Sequence, residues 1–139
     1  MIITDLTKRG VDDWGSGAYK AARGSKKHKG IDYACEPGDT LYSPVEGEIT
    51  KFGYTYANAL EFRYVEITDN NGNRCRAFYV EPNTELKIGG YISKNYPIGT
   101  SQNISGYYKK KRPYQDMINH THYEILDKEG NTINPDEYS

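Results

Sequence analysis

After His28, hydrophobic and polar residues alternate with a period of two in several short segments, and no segment sustains a long 3.6-residue period. That pattern predicts strands rather than helices. His120 to Leu126 alternates cleanly and is predicted as a central strand. Tyr64 to Thr68 is another, with Val65 and Ile67 on one face. Asp69-Asn70-Asn71-Gly72-Asn73 follows as a hairpin turn, because Asn-Gly accepts positive φ. Arg74 to Val80 returns as its partner, stopped by Pro82. Thr40 to Pro44, Val45 to Phe52 around Gly47, Leu86 to Ile92 and Tyr96 to Gly99 supply further short strands or turns. Asp127 to Asn131 is a turn before a tail over 132–139, and residues 101–117 read as a long polar loop. Turn-rich sequence occupies 1–27, notably Asp12 to Gly17 and Arg23-Gly24-Ser25. The expectation is a mostly β fold: a single domain over 25–139, built on antiparallel sheet with long loops, behind an irregular arm over 1–24.

Composition narrows the picture. A chain of 139 residues suits one core. A formal net charge of -1 provides no global field for nucleic acid or an anionic membrane. The run Lys109-Lys110-Lys111-Arg112 is either a solvated loop or a contact patch for an anionic polymer. Only 36% of residues are hydrophobic, and 14 tyrosines outnumber 3 phenylalanines and 1 tryptophan. Tyrosine buries a ring while its hydroxyl stays wet or bonded, which suits strands bordering a polar groove. Tyr54, Tyr56, Tyr107 and Tyr108 could rim such a groove or serve as loop packing. Cys35 and Cys75 form no C-x-x-C pair, which excludes a cysteine zinc ribbon and leaves a disulfide or two buried thiols. Met1 to Asp5 has no basic start and no apolar core of signal-peptide length, and no stretch is long enough to insert in a membrane. The expectation is synthesis in a cytoplasm, with exit at lysis or within a phage particle as routes that need no leader.

The chain spends its three histidines in two short motifs. One is His28-Lys29-Gly30-Ile31-Asp32, the other His120-Thr121-His122. Zinc prefers imidazole, carboxylate and thiolate in a tetrahedral shell. His28 and Asp32 can turn to one point around Gly30. On a strand, His120 and His122 face the same side, with Cβ atoms roughly 6–7 Å apart. One imidazole can hold a metal while the other reaches a reacting water, and two histidines plus one aspartate leave a coordination position open. Ordinary core or surface histidines are the alternative.

In this order the motifs resemble the lysostaphin-type zinc metallopeptidases, which cut peptide cross-links of peptidoglycan. The resemblance runs through His28-x-Gly30-Ile31-Asp32, Gly38 to Ile49, Leu86-Lys87-Ile88-Gly89, Tyr96-Pro97-Ile98-Gly99 and His120-Thr121-His122-Tyr123-Glu124-Ile125, and covers residues 25–138. It implies a zinc groove with His28, Asp32 and His122 as ligands, and His120 as the catalytic side chain beside the water or the reacting carbonyl. It also implies a peptidoglycan peptide or glycopeptide as partner, with phage tail or virion proteins as further candidates. Active members carry a second catalytic histidine at a place that falls on Val80, and valine neither moves a proton nor bonds an oxyanion. Arg74 to Pro82 is similar instead to the leukocyte cell-derived chemotaxin branch, which keeps the zinc fold and is not regarded as a peptidase. Two functions follow: a zinc endopeptidase in which Glu81, Tyr79 or Tyr123 fills the gap, or a zinc-stabilised wall-binding, protein-binding or virion module. Tyr33 and Asn119 are candidates to orient the ligands, or plain strand and turn residues.

Overall fold

The computed structural model describes residues 6–23 and 26–138. Short strands β1 (Thr7–Lys8), β2 (Val11–Asp12), β3 (Gly15–Ser16), β4 (Ala22–Arg23) and β5 (Lys26–Lys27) precede β6 (Gly30–Ala34) and β7 (Thr40–Tyr42). The long hairpin of β8 (Gly47–Tyr56) and β9 (Ala59–Thr68) follows, then β10 (Arg74–Phe78), β11 (Val80–Pro82), β12 (Tyr91–Ile92) and β13 (Pro97–Ser101). Helix α1 (Ile104–Lys111) leads to β14 (His120–Leu126) and β15 (Thr132–Ile133). The main sheet has the order β1-β6-β14-β10-β9-β8-β12, with β15 also on β14, and a second, three-stranded sheet β11-β13-β7 shares its core through Val80, Ile98 and Leu41. The strand pairings among the described residues are antiparallel.

The predicted central strand is central. All seven residues of β14 are buried, between β6 and β10. Its alternation separates two environments. Tyr123 and Ile125 enter the core with Ile31, Tyr33, Val65, Ile67, Cys75 and Ala77. His120, His122 and Glu124 face the other way. Register then sets the site: His122 pairs with Asp32 and Phe78, and His120 with Ala34. Directly opposed residues of an antiparallel pair share a face, so Asp32 is delivered to His122 by the pairing itself.

Gly30 is required by that pairing. A Cβ there would lie 2.0 Å from the Tyr123 carbonyl oxygen and 3.0 Å from Cε1 of His122. Gly30→Ala is expected to force β6 away from β14 at a cost of about 1–3 kcal/mol. A urea midpoint that stays at the wild-type value would overturn this.

Two expectations are corrected here. The segment 101–117 is not all loop, since it contains α1. The Asn103 side chain caps this helix by accepting from the Gly106 backbone N–H at 2.9 Å, and Ile104 is its buried residue. Eight residues fall short of the window in which helical periodicity is read, and Tyr107 and Tyr108 blur what period exists. The segment read as an irregular arm holds short strands, and β1 extends the main sheet by pairing Thr7 and Lys8 with Ala34 and Tyr33. Residues 1–5 and 24 of that arm lie outside the described residues. Both cysteines are free, buried thiols, which closes the disulfide alternative. No helix among the described residues is long and apolar enough to cross a membrane.

Candidate metal centre

His28, Asp32 and His122 converge. One ligand atom from each lies within 4.8 Å of the other two. Oδ1 of Asp32 sits 2.8 Å from Nδ1 of His122 and 3.2 Å from Nε2 of His28. The far nitrogens are anchored: Nδ1 of His28 is 3.0 Å from the Ala18 carbonyl, and Nε2 of His122 is 3.1 Å from Oε1 of Glu124. A carbonyl only accepts, so Nδ1 of His28 donates to Ala18, and Nε2 is the nitrogen that faces Asp32 and would ligate a metal. Such outer partners orient metal-binding imidazoles and raise their basicity. Two imidazole nitrogens and a carboxylate oxygen aimed at one point fit a zinc-type ion with a position left open.

The charges agree with that use. Burial alone would raise the Asp32 carboxyl, but hydrogen bonds from His122 and His28 hold it well below the usual carboxylate range. Burial pushes the His122 imidazole down, yet Asp32 and Glu124 on its two nitrogens lift it to about 9. Asp32 and His122 therefore form an ion pair, in which a metal would take the place of the Nδ1 proton. Glu124 is held low by the His122 hydrogen bond and charge despite its own burial. Sequence reasoning quoted Glu124 but gave it no role.

His120 stands beside this trio rather than in it. Its Nε2 is 3.6 Å from Oδ2 of Asp32, beyond hydrogen-bond range. Its Nδ1 donates to the Ile118 carbonyl at 2.8 Å, which turns the Nε2 lone pair toward the centre. Burial lowers its pKa, so the ring is kept neutral.

Arg9 was missed altogether. It is 5% exposed, and its Nε lies 3.3 Å from Oδ2 of Asp32 while Nη1 donates to Asp12 at 2.6 Å. Asp12 also accepts from the backbone N–H of Trp14 at 2.7 Å and of Ile118 at 2.8 Å. The 9–14 segment is thereby tied both to Asp32 and to the approach of β14. No local pattern marks this arginine, because its partner arrives only through the β1–β6 pairing.

The trio opens on a cavity of about 420 Å³ whose lining includes Trp14, Thr55, Tyr79, Tyr108 and His120. Trp14 and Thr55 line the cavity, and Trp14 Nε1 and Thr55 Oγ1 are among the buried polar atoms without a hydrogen-bond partner among the described residues. Of the groove tyrosines expected from sequence, Tyr108 lines the cavity, Tyr56 bonds to its hydroxyl at 2.7 Å, and Tyr107 stacks on Tyr56. Tyr54 is exposed beneath the Arg63 guanidinium. In the basic run, Lys109 pairs with Asp116, Lys111 lies over Tyr107 and Arg112 over Trp14.

Val80 is not at the site. It is 0% exposed in the core. Alternation continued from Phe78 would have faced Val80 to the groove, but Tyr79 takes φ 64 and reverses the order. Tyr79 now reaches the groove, edge-on to His120 with ring centroids 5.4 Å apart. The other candidates are placed elsewhere. Tyr123 and Tyr33 pack on each other in the core at 5.1 Å, and Glu81 is exposed, 3.3 Å from the Gln102 amide. Asn119 touches no ligand: its amide donates to the carbonyls of Cys35 and Gln102 and accepts from Ser105 N–H, tying α1 to the sheet.

The fold has known counterparts. The chain is 29% identical over 125 residues to leukocyte cell-derived chemotaxin-2 of Bos taurus, covering 90% of this chain and 77% of that one. A mutant catalytic domain of EnpA, a prophage-encoded M23 protein of Enterococcus faecalis, superposes with TM-score 0.63 at 17% identity, covering 100% of this chain and 95% of that one. The catalytic domain of lysostaphin from Staphylococcus simulans gives TM-score 0.59 at 19% identity, over 86% of this chain and 84% of that one. The sequence model of peptidase family M23 matches residues 26–135, from before the first histidine to past β15, and the chain belongs to that family.

Proposed function

We propose that this chain is a zinc-dependent endopeptidase directed at the peptide cross-links of peptidoglycan. The observation that carries the reading is the convergence of His28, Asp32 and His122 at the edge of a groove, with a neutral His120 beside them. Membership of family M23 supports it. Zinc held by these three residues would polarise a scissile carbonyl and activate water. The chain's own residues supply the rest. Arg9 neutralises the outer oxygen of Asp32 and leaves Oδ1 for the metal. Glu124 fixes the His122 ring. His120 Nε2 accepts a proton from the attacking water and returns it to the leaving amine.

The reading is tested with zinc-loaded protein on purified peptidoglycan. New amino termini are expected to appear, to stop with a chelator and to resume on adding zinc back. No release from protein carrying one zinc per chain would overturn it. Retention on the wall without release would favour the second reading, a binding module of the same fold, which a chain with no histidine beyond His28, His120 and His122 supports. A phage or prophage setting, with release at lysis or carriage in the particle, belongs to the same proposal. The fold likeness to a prophage-encoded protein supports it.

A further inference from the structure

An amide hydrolysed through a tetrahedral adduct needs a group to move the proton and a donor for the negative oxygen. His120 can do the first, and its ring cannot serve both ends of the reaction at once. We propose that the Tyr79 hydroxyl is that second group: a hydrogen-bond donor to the negative oxygen that develops on the attacked carbonyl. The inference rests on the peptidase reading above.

Three independent features of Tyr79 meet here. The first is its backbone. A tyrosine at φ 64 is uncommon, and strain of this kind persists where the surroundings impose it. Its consequence is specific, since it moves Tyr79 from the core side of the strand into the cavity that His120 lines.

The second is its hydroxyl network. Tyr79 is 3.1 Å from the Tyr56 hydroxyl, which is 2.7 Å from that of Tyr108. Three hydroxyls joined by two hydrogen bonds leave one proton over. An anion beside Tyr79 selects the order Tyr108 to Tyr56 to Tyr79, in which the spare proton points out of the Tyr79 end. Each bond in such a chain polarises the next, which strengthens the final donor. Tyr79 and Tyr108, the two ends, both line the cavity.

The third is its charge state. Burial raises the Tyr79 phenol far above its ordinary value, so it keeps its proton throughout the neutral range and acts only as a donor. No bond to Tyr79 is made or broken. Its proton stays on the phenol, and the proton transferred in the reaction travels by His120.

Tyr79→Phe removes the oxygen and leaves the ring against His120. Inorganic phosphate, a tetrahedral anion free of any peptide preference, is the probe, titrated calorimetrically into zinc-loaded wild type and variant. A hydrogen bond to an anion is worth about 1.5–3 kcal/mol, so phosphate affinity is expected to fall about 10- to 150-fold. Zinc affinity, measured by competition with a chelator, is expected to hold. Equal phosphate affinity in both proteins, or no phosphate binding by zinc-loaded wild type, overturns the proposal. A parallel loss of zinc affinity also overturns it, because a merely structural role would produce that. Hydrolysis of peptidoglycan by the same two samples separates the two readings. If phosphate affinity depends on Tyr79 but wild type releases no amino termini, the donor stands and the peptidase reading fails. If wild type is active, kcat is expected to fall about 10²–10³-fold with little change in KM.

Discussion

Asp32→Asn is expected to abolish zinc binding and to destabilise the metal-free fold by about 3 kcal/mol. Asp32 is 3% exposed and is approached from several sides, by Arg9, His28, His120 and His122. Asparagine preserves its shape but removes the charge and presents an amide N–H₂ where an acceptor stood. Either Nε of Arg9 or Nδ1 of His122 then faces a donor. Breaking one partner out of a buried ion pair typically costs 3–5 kcal/mol. The low end applies here, because Arg9 retains Asp12 and His122 retains Glu124. Against a typical stability of about 5–15 kcal/mol the variant still folds, so metal loss and unfolding can be read apart. The metal effect is the larger one. Loss of an outer partner alone costs about 10- to 100-fold in metal affinity, and Asp32 would be a direct ligand. Metal analysis of the folded variant after dialysis, together with a urea curve, checks both parts. One zinc per chain in the variant would remove Asp32 from the ligand set. An unchanged urea midpoint would show that the buried charges do not depend on it.

How far the site could be read from sequence follows from the range of each interaction. His120 and His122 sit two apart in a strand, so their common face is a local property and was legible. So was the open metal constellation as a set of residue types. That Asp32 pairs across from His122 is set by the β6–β14 register, a contact between residues distant in sequence, and the motif order implied it only through the family resemblance. Arg9 lies beyond even that: its near partner Asp12 gives no sign of Asp32, which only the β1–β6 pairing brings to it. Tyr79 and Val80 show a different limit. Period-two reading assumes an unbroken strand, and one positive φ exchanges the faces of every later residue. The residue predicted at the site thus went to the core, and its neighbour took the groove. Helix α1 escaped for the opposite reason: its cap and its contacts were present in the sequence, but two turns are too short for a period. Tyr33 follows Asp32 by one position in β6, which is enough to turn it into the core, and Asn119, just before β14, ties α1 to the sheet instead.

The last expected result concerns the side chain that should matter to rate and not to metal. His120→Ala is expected to retain one zinc per chain and to lose about 10²–10⁴-fold in peptidoglycan hydrolysis. Retention follows from geometry. His120 is not among the three side chains whose ligand atoms lie within 4.8 Å of one another. The nitrogen it turns inward stops 3.6 Å from the outer oxygen of Asp32, which Arg9 already occupies. Loss of rate follows from protonation. A ring kept neutral by burial, with its Nδ1 proton committed to the Ile118 carbonyl, has one basic nitrogen and directs it at the groove. Alanine provides no acceptor there, and Tyr79, holding its proton throughout the neutral range, cannot stand in as a base. The two halves of the result test separate claims. Zinc lost along with activity would make His120 a ligand. Zinc kept with undiminished hydrolysis would move the proton transfer to another group, leaving His120 only the shaping of the groove edge against Tyr79.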